Sequence, residues 1–341
     1  MLAVVLVVVV ALGVVRLGQG RTGPTPTPGP TPTGASSHPA ASDSASADGW
    51  PVGVGLPSGT VWVLAGDGIS RLDVTSGFLD HLGLEVDPAR TVLTPLAPGA
   101  VAWSPSGRAA SLLGLDRESG DPLRRARAVL PGPAGTVWAR TAAPAGGVST
   151  WVQADGDGVA GPRVAVRGTA LADGAGGLLE VRDGAVRHVY PGRVLDLGRA
   201  RVLAVGPDGY VLDRCGDGTC SAELHRTDGA VDPVLTEAAP NPQPDRSEVA
   251  PGSVSPGDRY LVETLPTEVG DQVRVSRVSA VAEVLRTFPA GDRRSSEAWL
   301  SDRWLLAVSE DHLVLYDAAT DTLLTPDLGL DGPTQVVFVP A

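Results

Sequence analysis

The chain has 341 residues, 43% of them hydrophobic, which is enough for a large core in ordinary domains or in one repeat-built domain. Its formal net charge is -12, and all 27 basic residues are arginine. Such a surface repels phosphate backbones, and only Arg124, Arg125 and Arg127 come close to clustering, so composition argues against nucleic acid as a partner.

Residues 1–17 open with MLAVVLVVVVALGVV, an uninterrupted apolar run that Arg16 ends. Its length suits a signal h-region, yet no basic flank precedes it and no clear cleavage site follows. The expected reading is a signal-anchor helix whose true start lies upstream, with a buried core strand as the alternative. Taken literally, Arg16 and Arg21 after the helix would leave the C-terminus in the cytoplasm. The stretch that follows argues the other way.

Residues 18–48 alternate Pro and Thr and then turn to Ser and Ala, with no apolar periodicity. This composition is expected to form a disordered, extended stalk that holds an exported domain away from a membrane. A low-complexity tail without a spacer role is the other reading. His38 lies here, with no chemistry to support.

Residues 49–341 change to short alternating apolar runs. The 43 Gly and 30 Pro are spread along the whole chain, as many short strands joined by tight turns require, and with only 4% aromatics the core must be mostly Val, Leu and Ala. Two phrases recur. One is a turn before an apolar strand: AWSPSGRAASLLGL from Ala102, VGPDGYVLDR from Val205, SVSPGDRYLVETL from Ser253 and AWLSDRWLLAVS from Ala298. The other is strand, Asp- or Gly-containing turn, strand: ISRLDVTSGFLDHL from Ile69, LLEVRDGAVRHVY from Leu178, AELHRTDGAVDPVL from Ala222 and LVLYDAATDTLL from Leu313. The stretch Glu297–Leu324 holds both, and its period-2 alternation favours strands over a helix.

Repeats of roughly 40 residues signal a propeller or array. Counting from these phrases, and from GTVWVLA at Gly59 and GTVWART at Gly135, places starts near Gly59, Gly99, Gly135, Gly168, Val194, Gly252 and Glu297. The expected fold is all-β, a β-propeller of seven blades, or six if the short unit from Gly168 merges with a neighbour. The final PTQVVFVPA has no hairpin partner after it and is expected to complete the first blade. The Pro-rich segment after Leu235 reads as a surface loop.

The turns SPSGR, GPDGY and SPGDR, each before an apolar strand, resemble those of TolB-like and WD40-like bacterial propellers, across most of Trp50 to Ala341. No WD dipeptide or GH pair occurs as WD40 repeats use them. The resemblance implies a toroid of four-stranded sheets and no particular activity.

Local chemistry is sparse. Cys215 and Cys220, in CGDGTC, would face each other across a hairpin, which predicts a disulfide in an exported protein. A zinc site with His225 would need ligands that are not nearby. Asp155 and Asp157 in ADGDGVAG lack the third position and distant Glu of a calcium loop and read as a hairpin turn, as do AGDG from Ala65 and LADG from Leu171. Neither GxSxG nor HExxH occurs. His81, His188, His225 and His312 are scattered, mostly in strands and turns, and Trp62, Trp103, Trp138, Trp299 and Trp304 suit packing between blades.

No cofactor is implied. The expectation is a single-pass cell-membrane protein with its propeller extracellular, a non-catalytic binding or scaffolding domain for an unidentified protein or glycan. The alternative is an enzyme acting on glycans or cell-wall polymers in the propeller's central funnel.

Overall fold

The computed structural model of the chain describes residues 45–46 and 49–341, apart from 85, 105–110, 115–121, 134, 143, 158, 217–218, 235–250, 269 and 291–295. The expected N-terminal helix and the Pro-rich loop at 235–250 lie outside the described residues. Among the described residues no helix is long and apolar enough to cross a membrane.

Strands β1 (Ala45–Ser46), β2 (Gly59–Ala65), β3 (Gly68–Asp73) and β4 (Phe78–His81) come first. β5 (Val92–Leu96), β6 (Gly99–Trp103) and β7 (Ser111–Leu113) follow, then β8 (Ala128–Pro131), β9 (Thr136–Arg140), β10 (Val148–Asp155) and β11 (Ala160–Arg167). Next are β12 (Thr169–Ala172), β13 (Leu178–Arg182), β14 (Ala185–Tyr190) and β15 (Arg193–Arg199). β16 (Arg201–Val205), β17 (Gly209–Gly216), β18 (Thr219–Arg226) and β19 (Val231–Val234) precede β20 (Gly252–Val254), β21 (Tyr260–Thr267), β22 (Gly270–Arg277) and β23 (Ala280–Pro289). β24 (Glu297–Trp299), β25 (Trp304–Ser309), β26 (His312–Asp317), β27 (Thr322–Leu324) and β28 (Gln335–Pro340) end the chain.

Among the described residues these strands make six sheets. Sheet one has the order β1-β4-β3-β2-β28, sheet two is β5-β6-β7, sheet three β11-β10-β9-β8, and sheet four β12-β13-β14-β15. Sheet five runs β19-β18-β17-β16-β20-β21-β22-β23, and sheet six is β24-β25-β26-β27. Neighbours pair antiparallel throughout, except that β16 and β20 pair in parallel, Ala204 opposite Gly252, and so join two antiparallel halves of sheet five. The terminal strand closes the ring as expected: β28 pairs with β2 from Gly59↔Pro340 to Leu64↔Gln335. Ala45–Ser46, inside the stretch read as a stalk, adds a short strand against Leu79 and Phe78 on the opposite edge of that sheet.

Alternation along the middle strands explains why the sheets stack. In β2, Val61 and Val63 enter one cluster with Trp304, Leu306 and Val308 of β25, while Trp62 and Leu64 enter another with Leu93, Ala100 and Ala102 of sheet two. In β25 the second face is equally buried, since Leu305 and Ala307 pack on Val262, Val273 and Val275. A strand apolar on both faces must be covered on both faces, which here means sheet on sheet. The remaining clusters join sheets two and three, three and four, four and five, and the two halves of sheet five. The fold is therefore a propeller-like ring closed between its last and first sheets.

Contacts between the leading strands show what lies innermost: β28 touches β5, β5 touches β8, β8 touches β12, β16 touches β20, β20 touches β24, and β24 touches β28. This corrects the phase of the repeat. GTVWVLA and GTVWART are the second strands β2 and β9, not inner starts, and Val194 lies in β15, the last strand of sheet four. Gly168, Gly252 and Glu297 do fall at or beside the start of a leading strand. The turn phrases also change position, because RDG at Arg182 joins a second strand to a third whereas TDG at Thr227 joins a third to a fourth.

Candidate functional site

Antiparallel alternation sorts the turns. First-to-second-strand and third-to-fourth-strand turns lie at one end of the ring; second-to-third-strand turns and the connections between sheets lie at the other. At the first end, consecutive turns touch. A Cβ on Gly176 would stand 2.7 Å from Cγ of Pro133, and one on Gly174 would stand 1.9 Å from the carbonyl oxygen of Gly206. The Gly257 N–H donates to Asp208 Oδ2 at 3.2 Å, the Ser255 hydroxyl donates to Asp302 Oδ1 at 2.9 Å, and Arg259 Nε meets Asp302 Oδ2 at 2.9 Å. Asp258 is buried in this rim and accepts Arg226 Nη1 at 2.5 Å. Burial pushes its carboxyl above the usual range, Arg226 opposes that, and the neighbouring Asp208, Asp302 and Asp232 add to it. The rim is thus tied together by its own side chains.

A second polar array lies between sheets four and five. Asp173, in the turn after β12, accepts the N–H groups of Ala175, Gly176 and Gly177 on Oδ1 at 2.8–2.9 Å. Its other oxygen bonds His188 Nε2, and His188 Nδ1 bonds the Tyr210 hydroxyl at 3.2 Å. Tyr190 packs on the imidazole, and Tyr210 stacks on His225 with ring centroids 5.3 Å apart. His225 Nε2 meets Glu223 Oε2 at 3.1 Å, and Arg214 Nε donates to the same oxygen at 2.8 Å. The Arg214 bond, assisted by His225, holds the Glu223 carboxyl below its usual range despite some burial. Burial above all, with the nearby Tyr190 and Asp173, pushes the Tyr210 phenol well up. Asp173, His188 and Tyr210 are all buried, and every nitrogen of His188 is engaged. The chemistry available to this array is to hold two sheets in register, since no side chain of its inner part is presented to a ligand.

Cys215 and Cys220 stand directly opposite each other in β17 and β18 and form a disulfide, Cα atoms 4.1 Å apart. They close the tip of a second-to-third-strand hairpin, at the end opposite the tied rim. The grouping of Asp213 with these sulfurs offers no metal site while the disulfide stands, because a thiolate is the ligand form. Asp155 Oδ1 accepts the N–H groups of Asp157 and Val159 at 3.0 and 2.9 Å, the bonding of a capped turn. His81 bonds Ser70, and His312 lies exposed beside Asp311. Trp62, Trp103, Trp138, Trp299 and Trp304 are all buried between sheets.

Sequence reasoning missed the array around His188. The legible signal was His188 and Tyr190 two apart on one strand face, with LADG carrying Asp173; what brings them together is the β13–β14 register and the tight turn at Gly177, neither readable locally.

The sequence matches no protein-family model and no curated protein. Among solved structures the chain is similar to AztD of Citrobacter koseri, at 11% identity and a TM-score of 0.44 over 84% of this chain and 99% of that one. It is similar to a protein of Lactobacillus plantarum, at 14% identity and a TM-score of 0.46 over 82% and 99%. It is also similar to TolB of Acinetobacter baumannii, at 11% identity and a TM-score of 0.41 over 82% of each chain.

Proposed function

We propose that this chain is an exported, membrane-tethered propeller of seven blades that acts as a non-catalytic binding or scaffolding domain, engaging a protein or glycan at the cell surface. Seven blades follow if each antiparallel half of sheet five counts as one, a reading supported by a separate hydrophobic cluster between the two halves. The end bearing the second-to-third-strand hairpins is the binding face in this reading.

The observation that carries the proposal is the disulfide at the β17–β18 tip. Disulfides persist in oxidising compartments, which supports export. A crosslink at an exposed tip rather than in the core restricts a loop in advance, and a loop restricted in advance loses less entropy on binding. The apolar run 1–17 and the Pro/Thr stretch 18–48 supply the tether.

The test has two arms. Protease added to intact cells should cut or release the domain, and a glycan array run with a hydrolysis assay on cell-wall polymers should give binding without turnover. Turnover of any polymer, or a domain that only lysis exposes to protease, overturns the reading.

A further inference from the structure

At the hairpin end a cleft of about 370 Å³ lies between sheets three and four, lined by Gly146, Gly147, Val148, Arg167, Gly168 and Arg182. Its walls come from three segments. Gly146 and Gly147 form the tip of the β9–β10 turn, Arg167 ends β11 with Gly168 as the one-residue connection to β12, and Arg182 ends β13. Gly168 packs so closely on sheet four that a Cβ there would stand 2.6 Å from the Val181 carbonyl oxygen and 3.1 Å from Cβ of Arg182. That contact brings Arg167, next in sequence to Gly168, beside Arg182 across the seam between the two sheets.

The charge in this cleft is not cancelled from within. Glu180, a buried carboxylate outside the lining, accepts the Arg167 backbone N–H on Oε2 at 2.6 Å and faces Arg187 Nη1 at 3.6 Å. The Arg167 guanidinium has no partner among the described residues. Arg182 pairs through Nε with the adjacent Asp183 at 3.2 Å, both side chains mostly exposed, a pairing that water screens strongly. Gly146 and Gly147 add no side chain, and a Cβ on either would meet nothing within 4 Å. Two arginines therefore line an open space of small-molecule size in a chain whose net charge is -12.

We propose that this cleft is a binding site for a small organic oxyanion, a phosphate ester or a carboxylate, clamped between Arg167 and Arg182. The planar guanidinium matches either group with two parallel N–H···O bonds, which lysine cannot do. Both arginines are exposed, so each bond is screened by water and salt and is strongest at low ionic strength. The proposal refines the binding-face reading above by naming a ligand chemistry for that end, and it can fail or stand separately.

The test is isothermal titration of the full chain at low ionic strength, with inorganic phosphate in one arm and citrate in the other. Saturable binding of at least one is expected, identifying the phosphate or the carboxylate source. Arg167→Gln and Arg182→Gln should each weaken it about tenfold or more, the order of one charge-assisted bidentate pair. Arg167→Lys should lose nearly as much, and Arg277→Gln, exposed on β22 away from the cleft, should lose nothing. Unchanged thermal midpoints show that the variants are folded; if Arg167→Gln is not, Arg182→Gln decides alone. No saturable binding of either anion, or equal affinity in wild type and both cleft variants, overturns the proposal. Polymer turnover or cytoplasmic placement would defeat the scaffold reading and leave this affinity as measured.

Discussion

Gln335 and Leu93 bond each other twice between the leading strands of sheets one and two: the Gln335 side chain donates from Nε2 to the Leu93 carbonyl at 3.1 Å and accepts the Leu93 N–H on Oε1 at 2.8 Å. The free edge of a leading strand carries peptide groups that need partners, and a carboxamide presents the donor and acceptor of a peptide in the same plane. Ser296 does likewise for β28, donating to the Val336 carbonyl at 3.0 Å and accepting its N–H at 2.7 Å. Gln335→Ala is expected to lower stability by about 2 kcal/mol, the order of leaving a part-buried donor and acceptor unpaired. Gln335→Glu, which keeps the acceptor and loses the donor, should not restore it. A urea midpoint unchanged in Gln335→Ala would show that the latch contributes nothing.

Ring closure was legible because PTQVVFVPA is a strand with no hairpin partner, and an unpaired apolar strand must find an edge. The alternation in β25 and β26 was legible for the same kind of reason: a period of two has one structural meaning. The phase of the repeat was not. Asp-Gly turns serve any antiparallel hairpin, so RDG between β13 and β14 and TDG between β18 and β19 look alike in sequence while occupying opposite ends of the ring. The array at His188 stayed hidden because its members come from a turn, one strand of sheet four and two of sheet five, and only the packing of those sheets joins them. The cleft arginines were invisible for the same reason, since Arg167 and Arg182 become neighbours through Gly168.

Asp173→Ala should be among the most destabilising polar substitutions. It removes the acceptor for three backbone N–H groups and for His188 in a buried turn, at about 1–3 kcal/mol for each group left unsatisfied. Partial relaxation of the turn brings the expected total to roughly 3 kcal/mol. Chemical denaturation measures it, and a loss within about 0.5 kcal/mol, the size of an ordinary surface substitution, would contradict the structural role.

Close approach can be separated from backbone strain at two glycines of similar conformation. Gly174 and Gly192 have φ of 80° and 76°. Only at Gly174 would a Cβ strike neighbouring backbone, 1.9 Å from the Gly206 oxygen; at Gly192 it meets nothing within 4 Å. Gly192→Ala should cost about 1–2 kcal/mol for the left-handed conformation alone. Gly174→Ala should cost clearly more, or prevent the turns of sheets four and five from meeting. Equal thermal midpoints for the two variants would refute the contact.

Asp317 couples stability to pH. Burial pushes its carboxyl up, but Arg303, which donates through Nε at 2.6 Å and through Nη2, together with the Thr320 hydroxyl and the Ala319 N–H, outweighs that and holds it down at about 2. The ordinary value is 3.8, so the unfolded chain binds this proton first as pH falls. The contribution is complete above about pH 4 and is lost as pH drops through the folded value. Asp317→Asn should lose roughly 1.5 kcal/mol at neutral pH, the lower range for bonds to a charged group, and little further below pH 4. Stability curves of wild type and variant that stay parallel from pH 6 to pH 2 would rule this out.

The disulfide should be worth little to the fold and much to one hairpin. Cys215 and Cys220 are separated by 5 in sequence, and closing so short a loop constrains the unfolded chain by only about 2 kcal/mol on the chain-entropy estimate. The cystine stands at the end of β17 and β18, away from the apolar cluster that Val211, Ala222 and Leu224 join, so cutting it opens no cavity there. Reductant should therefore shift the urea midpoint modestly without abolishing cooperative unfolding, and the Cys215→Ser/Cys220→Ser variant should match the reduced protein and ignore reductant. Hydrogen exchange in the reduced chain should quicken at the amides of 214–221 and not at those of 202–204, in the neighbouring strand. Global loss of protection on reduction would mean that the bond supports the ring itself.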